Sequence, residues 1–153
     1  MPGQTTEKAF ETYVEEILLS RGGWKSGSNV EWDKERALFP AQVFAFIQDT
    51  QSKLWQEMRD QHAAGLEALL LTTLVKELDA KGSLHVLRHG FKFYGKTFRL
   101  AAFKPAHGAN YEVLEQFGKN RLTVTRQVPC HPNDNRTLDM AVSYTHLRAT
   151  RPY

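Results

Sequence analysis

Gly82-Ser83-Leu84-His85-Val86-Leu87-Arg88-His89-Gly90-Phe91-Lys92-Phe93-Tyr94-Gly95-Lys96-Thr97-Phe98-Arg99-Leu100-Ala101-Ala102-Phe103 marks the change of character that decides the fold class. Aromatic and branched residues crowd short runs here, and Gly90 and Gly95 break them. Residues 83–89, 91–94 and 96–103 therefore read as strands of a meander. Upstream, apolar residues recur at helical spacing instead. Phe10, Val14, Ile17, Leu18 and Arg21 line one stripe of a first helix, capped by Thr5 or Thr6 and ended by Gly22-Gly23. Residues 24–38 are polar and irregular. Pro40 suits the first position of a second helix that buries Val43, Phe44 and Ile47. Leu54, Trp55 and Met58 continue a helical face. Ala63 to Leu78 reads as a buried helix closed near Lys81-Gly82.

Downstream, Asn110 to Phe117 predicts a short helix. Arg121 to Val128 alternates as a strand, and Pro129 to Asn135 is rich in turn formers. Helices followed by a mostly antiparallel or mixed sheet make an α+β fold. The 153 residues match one domain, with 41% hydrophobic and 24% charged residues. A net charge of +3 and a pI near 9.0 are compatible with a nucleic-acid partner. The single cysteine, Cys130, excludes an internal disulfide and suits a reducing compartment. No apolar run is long enough to span a membrane and no secretory signal opens the chain, so the expected location is the cytoplasm, with no membrane partner.

Asp139 is the first candidate functional residue. It lies in Leu138-Asp139-Met140-Ala141-Val142, whose alternation predicts a strand with Leu138, Met140 and Val142 facing the core and Asp139 on the other face. A carboxylate held on a strand can ligate a divalent metal if further acids join it. Gln127 on the neighbouring strand shares that polar face. The first helix offers Glu11 and Glu15, four apart and so on one face. By periodicity alone, a solvated acidic helix surface is the better account of Glu11, Glu15 and Glu16. His85 and His89 are also four apart, but on a strand that spacing separates them by about 13 Å. Cys130-His131 lacks a second ligand pair, and no Walker-type phosphate loop is present. Arg88, Lys92, Lys96, Arg99, Lys104, Lys119, Arg121 and Arg126 fall in the sheet-forming part, among Phe91, Phe93, Tyr94 and Phe98, which suits a DNA phosphate surface and equally suits plain solvent-exposed strand positions.

The ordered segments Gly82–Phe91, Phe98–Pro105, Asn120–Val128 and Thr137–Met140 resemble the N-terminal nuclease domain of the restriction (R, or HsdR) subunit of type I restriction-modification systems. The resemblance spans residues 7–143. It implies a restriction-endonuclease-like core of the PD-(D/E)xK type, in which a strand Asp and a following Glu-x-Lys hold Mg²⁺ and activate water to hydrolyse double-stranded DNA. On that pattern Asp139 matches the strand Asp, and Glu11 matches an acid carried on the first helix; both would be catalytic metal ligands. The Glu-x-Lys strand has no counterpart after Asp139, so the core is expected to be incomplete and the chain, as written, inactive. The resemblance further implies modification and specificity subunits as partners. ATP would enter only through a motor region that this sequence does not contain. Residues 143–149 resemble translated sequencing-adapter sequence, so 1–143 reads as the domain and 144–153 as a non-native tail. The alternative is a non-enzymatic DNA-binding or subunit-docking module.

Overall fold

The computed structural model describes residues 2–108 and 110–144. Its elements, in chain order, are α1 (Pro2–Arg21), β1 (Lys25–Ser26), α2 (Pro40–Thr50), α3 (Ser52–His62), α4 (Leu66–Lys81), α5 (Ser83–His89), β2 (Phe91–Phe93), β3 (Lys96–Phe98), α6 (Tyr111–Gly118), β4 (Leu122–Pro129) and β5 (Thr137–Tyr144). Helix and sheet are both present, as an α+β fold requires. They are divided between two compact units, one formed by the residues up to Leu38 and from Arg121 onward, the other by Phe39–Asn120.

In the Phe39–Asn120 unit, Pro40 opens α2 as expected, and Val43, Phe46 and Ile47 are buried along it. Phe44 is only half-buried; Phe46 takes the inward place instead. Trp55 and Met58 anchor α3. Leu66, Leu70, Leu71, Leu74 and Leu78 bury one side of α4, which packs on β2. The β2–β3 hairpin turns through Tyr94 (φ +46°) and Gly95 (φ +78°). Two successive left-handed residues give a turn whose twist matches that of the paired strands. Phe91, Phe93 and Phe98 point inward from it, with the Phe91 and Phe98 rings stacked at 5.8 Å.

Two sequence expectations fail in this unit. Residues 83–89 form a helix, not a strand. Gly82 and Gly90, both at positive φ, bracket it, and the bonds Val86 N–H to Gly82 O (3.2 Å) and Gly90 N–H to Val86 O (2.8 Å) close its turns locally. Only Val86 is fully buried, so seven residues carried too little periodicity to separate the two readings. Beyond Phe98 the extended chain is not a strand either. The Gln51 side-chain amide accepts from Arg99 N–H and donates to Arg99 O, both at 2.8 Å. Asn120 serves Ala102 in the same way, at 2.9 and 2.7 Å. Side-chain amides thus satisfy backbone groups that a neighbouring strand would otherwise pair.

In the other unit, β1, β4 and β5 form a sheet in that order, with β1 parallel to β4 and β5 antiparallel to it. Helix α1 starts at Pro2, ahead of the expected Thr5 or Thr6 caps, and packs against β4. Its apolar stripe is only partly used. Val14, Ile17 and Leu18 are half-buried, whereas Phe10 is 67% exposed. The burial expected on β5 is also revised: Ser143 is buried, while Leu138 and Val142 are 37% and 42% exposed. Among the described residues, strand β5 has a strand partner on one side only. Tyr144 belongs to β5, paired with Leu122, and its partial burial pushes the phenol up. The remainder of the expected non-native tail, 145–153, lies outside the described residues.

Asp33 organises the turn before Leu38. Its Oδ1 accepts from Glu35 N–H (3.1 Å) and Arg36 N–H (3.0 Å), and Oδ2 meets Arg36 Nη1 at 2.6 Å. Burial alone would raise this carboxyl; the Arg36 backbone bond, the Arg36 guanidinium and the Glu35 backbone bond outweigh it and hold it below its usual range. A lowered folded-state pKa stabilises above the unfolded value, and that contribution is lost as pH falls through the lower folded value. Asp33→Ala is expected to cost about 1–3 kcal/mol near neutral pH. In urea melts repeated at decreasing pH, the gap between wild type and Asp33→Ala should narrow below about pH 4. A pH-independent gap would contradict the assignment.

Candidate metal centre

Three carboxylates come together from distant parts of the chain. Glu7 and Glu11 project from successive turns of α1, and Asp139 from β5. One oxygen from each lies within 4.8 Å of the others. The helix repeat explains the first pair, since residues four apart share a face. The strand position of Asp139 explains the third. The two residues singled out from sequence, Asp139 and Glu11, therefore meet. Glu7 was missed as a member, although extending the Glu11–Glu15 spacing one step toward the N-terminus reaches it.

Glu15 sits elsewhere. Arg126 on β4 places Nη2 2.5 Å from Glu11 Oε2 and Nη1 3.5 Å from Glu15 Oε2, with Thr12 Oγ1 3.3 Å from Nη1. The hydrogen bond to Glu11, with the charge of Glu15, holds the Arg126 proton more tightly than usual. Glu11 thus faces two ways, toward the carboxylate group and toward a guanidinium, and Glu15 faces the guanidinium alone.

The β4–β5 ladder is interrupted beside Asp139. Arg126 pairs with Met140 and Val128 with Leu138, but Gln127, at φ +53°, is left out of the pairing between them. A non-glycine residue in the left-handed region inside a strand is costly and draws attention to its surroundings. The Gln127 side chain accepts from Thr137 Oγ1 at 2.9 Å. With Glu7, Lys8, Glu11, Arg126 and Asp139 it lines a concavity of about 430 Å³.

Three carboxylate oxygens form a hard donor set suited to Mg²⁺ rather than to a thiolate- or imidazole-seeking ion. Oxygens on opposite sides of a Mg²⁺ lie about 4.2 Å apart. The donor set therefore fits the ion by its chemistry, three carboxylate oxygens within 4.8 Å of one another at one concavity. Cys130 and His131 are otherwise engaged: the thiol lies 3.4 Å from Arg136 O, and His131 Nδ1 accepts from Asn133 N–H. The pair His85 and His89 does not stand about 13 Å apart as a strand would require. On α5 their ring centroids are 4.6 Å apart.

Comparison with protein-family models, with curated proteins and with solved structures finds no match to this chain. No helix among the described residues is long and apolar enough to cross a membrane.

Proposed function

We propose that the α1–β4–β5 unit carries the acidic part of a Mg²⁺-dependent phosphodiester-cleaving centre acting on double-stranded DNA, in a protein of the type I restriction R-subunit class. The observation that supports it most is the convergence of Glu7, Glu11 and Asp139 on one point. When bound, Mg²⁺ polarises a phosphate oxygen and lowers the pKa of a coordinated water. Asp139, on a strand, would fix the ion's position, and Glu11 and Glu7 would supply further oxygen ligands. Lys8 and Arg126 line the same concavity and offer positive charge to a phosphate. The modification and specificity subunits of such a system are the corresponding partners, and ATP would serve only a motor outside these residues.

No Glu-x-Lys follows Asp139 in this sequence, so the expected result is Mg²⁺ binding by the chain without DNA cleavage. Calorimetric titration should show Mg²⁺ binding that Asp139→Asn weakens roughly 10–100-fold, the scale of losses when a metal site's supporting groups are removed. Binding indifferent to Asp139 and Glu11 would reject the metal-centre reading.

A DNA-binding or docking module is the second reading, favoured by a separate observation. Arg88, Lys92, Arg99 and Lys104 are exposed and make no ion pair among the described residues. If they bind DNA phosphates, duplex affinity will fall steeply with salt and will not respond to Asp139→Asn.

A further inference from the structure

We infer that His85 and His89 form a surface site for a borderline transition-metal ion of the Zn²⁺, Ni²⁺ or Cu²⁺ class. The inference uses nitrogen ligands in the Phe39–Asn120 unit and does not rest on the nuclease reading. Helix α5 brings the two residues to one face, because positions four apart are neighbours on a helix. Their rings stand 4.6 Å apart between centroids, inclined at 46°. Both side chains are exposed, while Val86, between them in sequence, is fully buried and seats the helix. The glycines that bracket α5 and the bond closing it at Gly90 fix where the helix starts and stops.

Neither imidazole has a hydrogen-bond partner among the described residues. Ring nitrogens of both are therefore free to coordinate. The two rings touch only each other's edges and faces, whereas a bound ion would use a nitrogen of both at once. Imidazole nitrogen selects Zn²⁺, Cu²⁺ and Ni²⁺ over hard ions such as Mg²⁺ and Ca²⁺. Paired histidines four apart on one helical face are the same arrangement that supplies two ligands in helical zinc sites. Water would fill the remaining positions on a bound ion, which makes the site an open one of modest affinity.

The test is calorimetric titration of the full chain with Ni²⁺ alone in a non-chelating buffer, repeated with Cu²⁺ followed by electron paramagnetic resonance. One nitrogen-ligated ion per chain is expected, marked by nitrogen hyperfine structure in the Cu²⁺ spectrum. His85→Ala and His89→Ala should each weaken binding about ten-fold or more, as loss of a group supporting a metal site does. His131→Ala should leave it unchanged. Because both residues are exposed, thermal melting without metal should be the same for all variants, which separates lost coordination from lost folding. Absence of nitrogen-ligated binding, nitrogen ligation that survives both substitutions, or nitrogen ligation that needs only one of the two histidines would each overturn the proposal.

Discussion

Gly90→Ala is expected to destabilise the Phe39–Asn120 unit by about 3–4 kcal/mol, among the largest losses a single substitution produces. Two independent costs combine. Gly90 has φ +71° and ψ −163°, a region that residues with a Cβ scarcely enter. An added Cβ would also stand 2.2 Å from the Phe98 carbonyl oxygen and 3.1 Å from its carbon. Both are backbone atoms, so no side-chain rotation relieves the clash. Phe98 itself cannot retreat freely, because it is buried, paired with Phe91 and stacked on that ring. The strain therefore passes into the α5–β2 junction and the hairpin together. Chemical denaturation should show the loss directly, with thermal midpoints lower by roughly 4–8 °C for each kcal/mol. Gly95→Asn is the matched control. It too has positive φ, but a Cβ there meets nothing within 4 Å, and asparagine tolerates the left-handed region. Its cost should stay near or below about 1 kcal/mol. Equal effects at the two positions would contradict the close approach at Gly90.

The same junction shows where sequence reading ran out. Elements with strong local signals were legible. Pro40 at a helix start, the leucine spacing of α4, the Tyr94-Gly95 turn region and Asn110 before α6 each encode their structure within a few residues. Asn110 caps α6, accepting from Val113 N–H, and the helix runs Tyr111–Gly118, one residue later than expected. Helix α5 was not legible, since seven residues with one buried side chain fit either period. Strand β1 is two residues long and exists through pairing with β4, almost a hundred residues away in sequence; nothing local marks it. Extended residues 99–102 look like a strand from sequence because they continue a short run rich in aromatic and branched residues. Their partners, however, are amide side chains of Gln51 and Asn120, which no periodicity reveals.

The candidate metal centre was half legible for a related reason. Asp139 and Glu11 stand out by residue type and position, and the structure brings them to one place. The meeting of Glu11 with Arg126 depends on how α1 lies against β4, a tertiary fact. So does the break in the ladder at Gln127, where the sequence shows only clean alternation. The exposure of Leu138 and Val142 likewise reflects what lies over β5, not the pattern within it.

Removal of Arg126 discriminates most sharply between a metal centre and an ordinary charged surface. In the structure the guanidinium holds Glu11 and Glu15, and Glu11 is also within reach of Glu7 and Asp139. An incoming Mg²⁺ therefore competes with a charge-assisted hydrogen bond for Glu11. Arg126→Met keeps an apolar stem of similar length and deletes the charge. The acids then lose their compensating cation, and their mutual repulsion favours any divalent ion that can bridge them. Mg²⁺ affinity should rise roughly ten-fold, the effect of one unit charge removed at contact distance in a partly screened site. Without Mg²⁺ the same variant should melt earlier than wild type, because α1 has lost its ionic tie to β4. Added Mg²⁺ should restore much of that loss, by the linkage between binding and folding. Ca²⁺ should serve in place of Mg²⁺, since both take oxygen ligands. The rescue must also vanish in Arg126→Met combined with Asp139→Asn, because the helix acids alone do not complete the site. If Arg126→Met instead lowers stability with no response to Mg²⁺, the guanidinium is only a strut between α1 and β4, and the three carboxylates are not a metal centre.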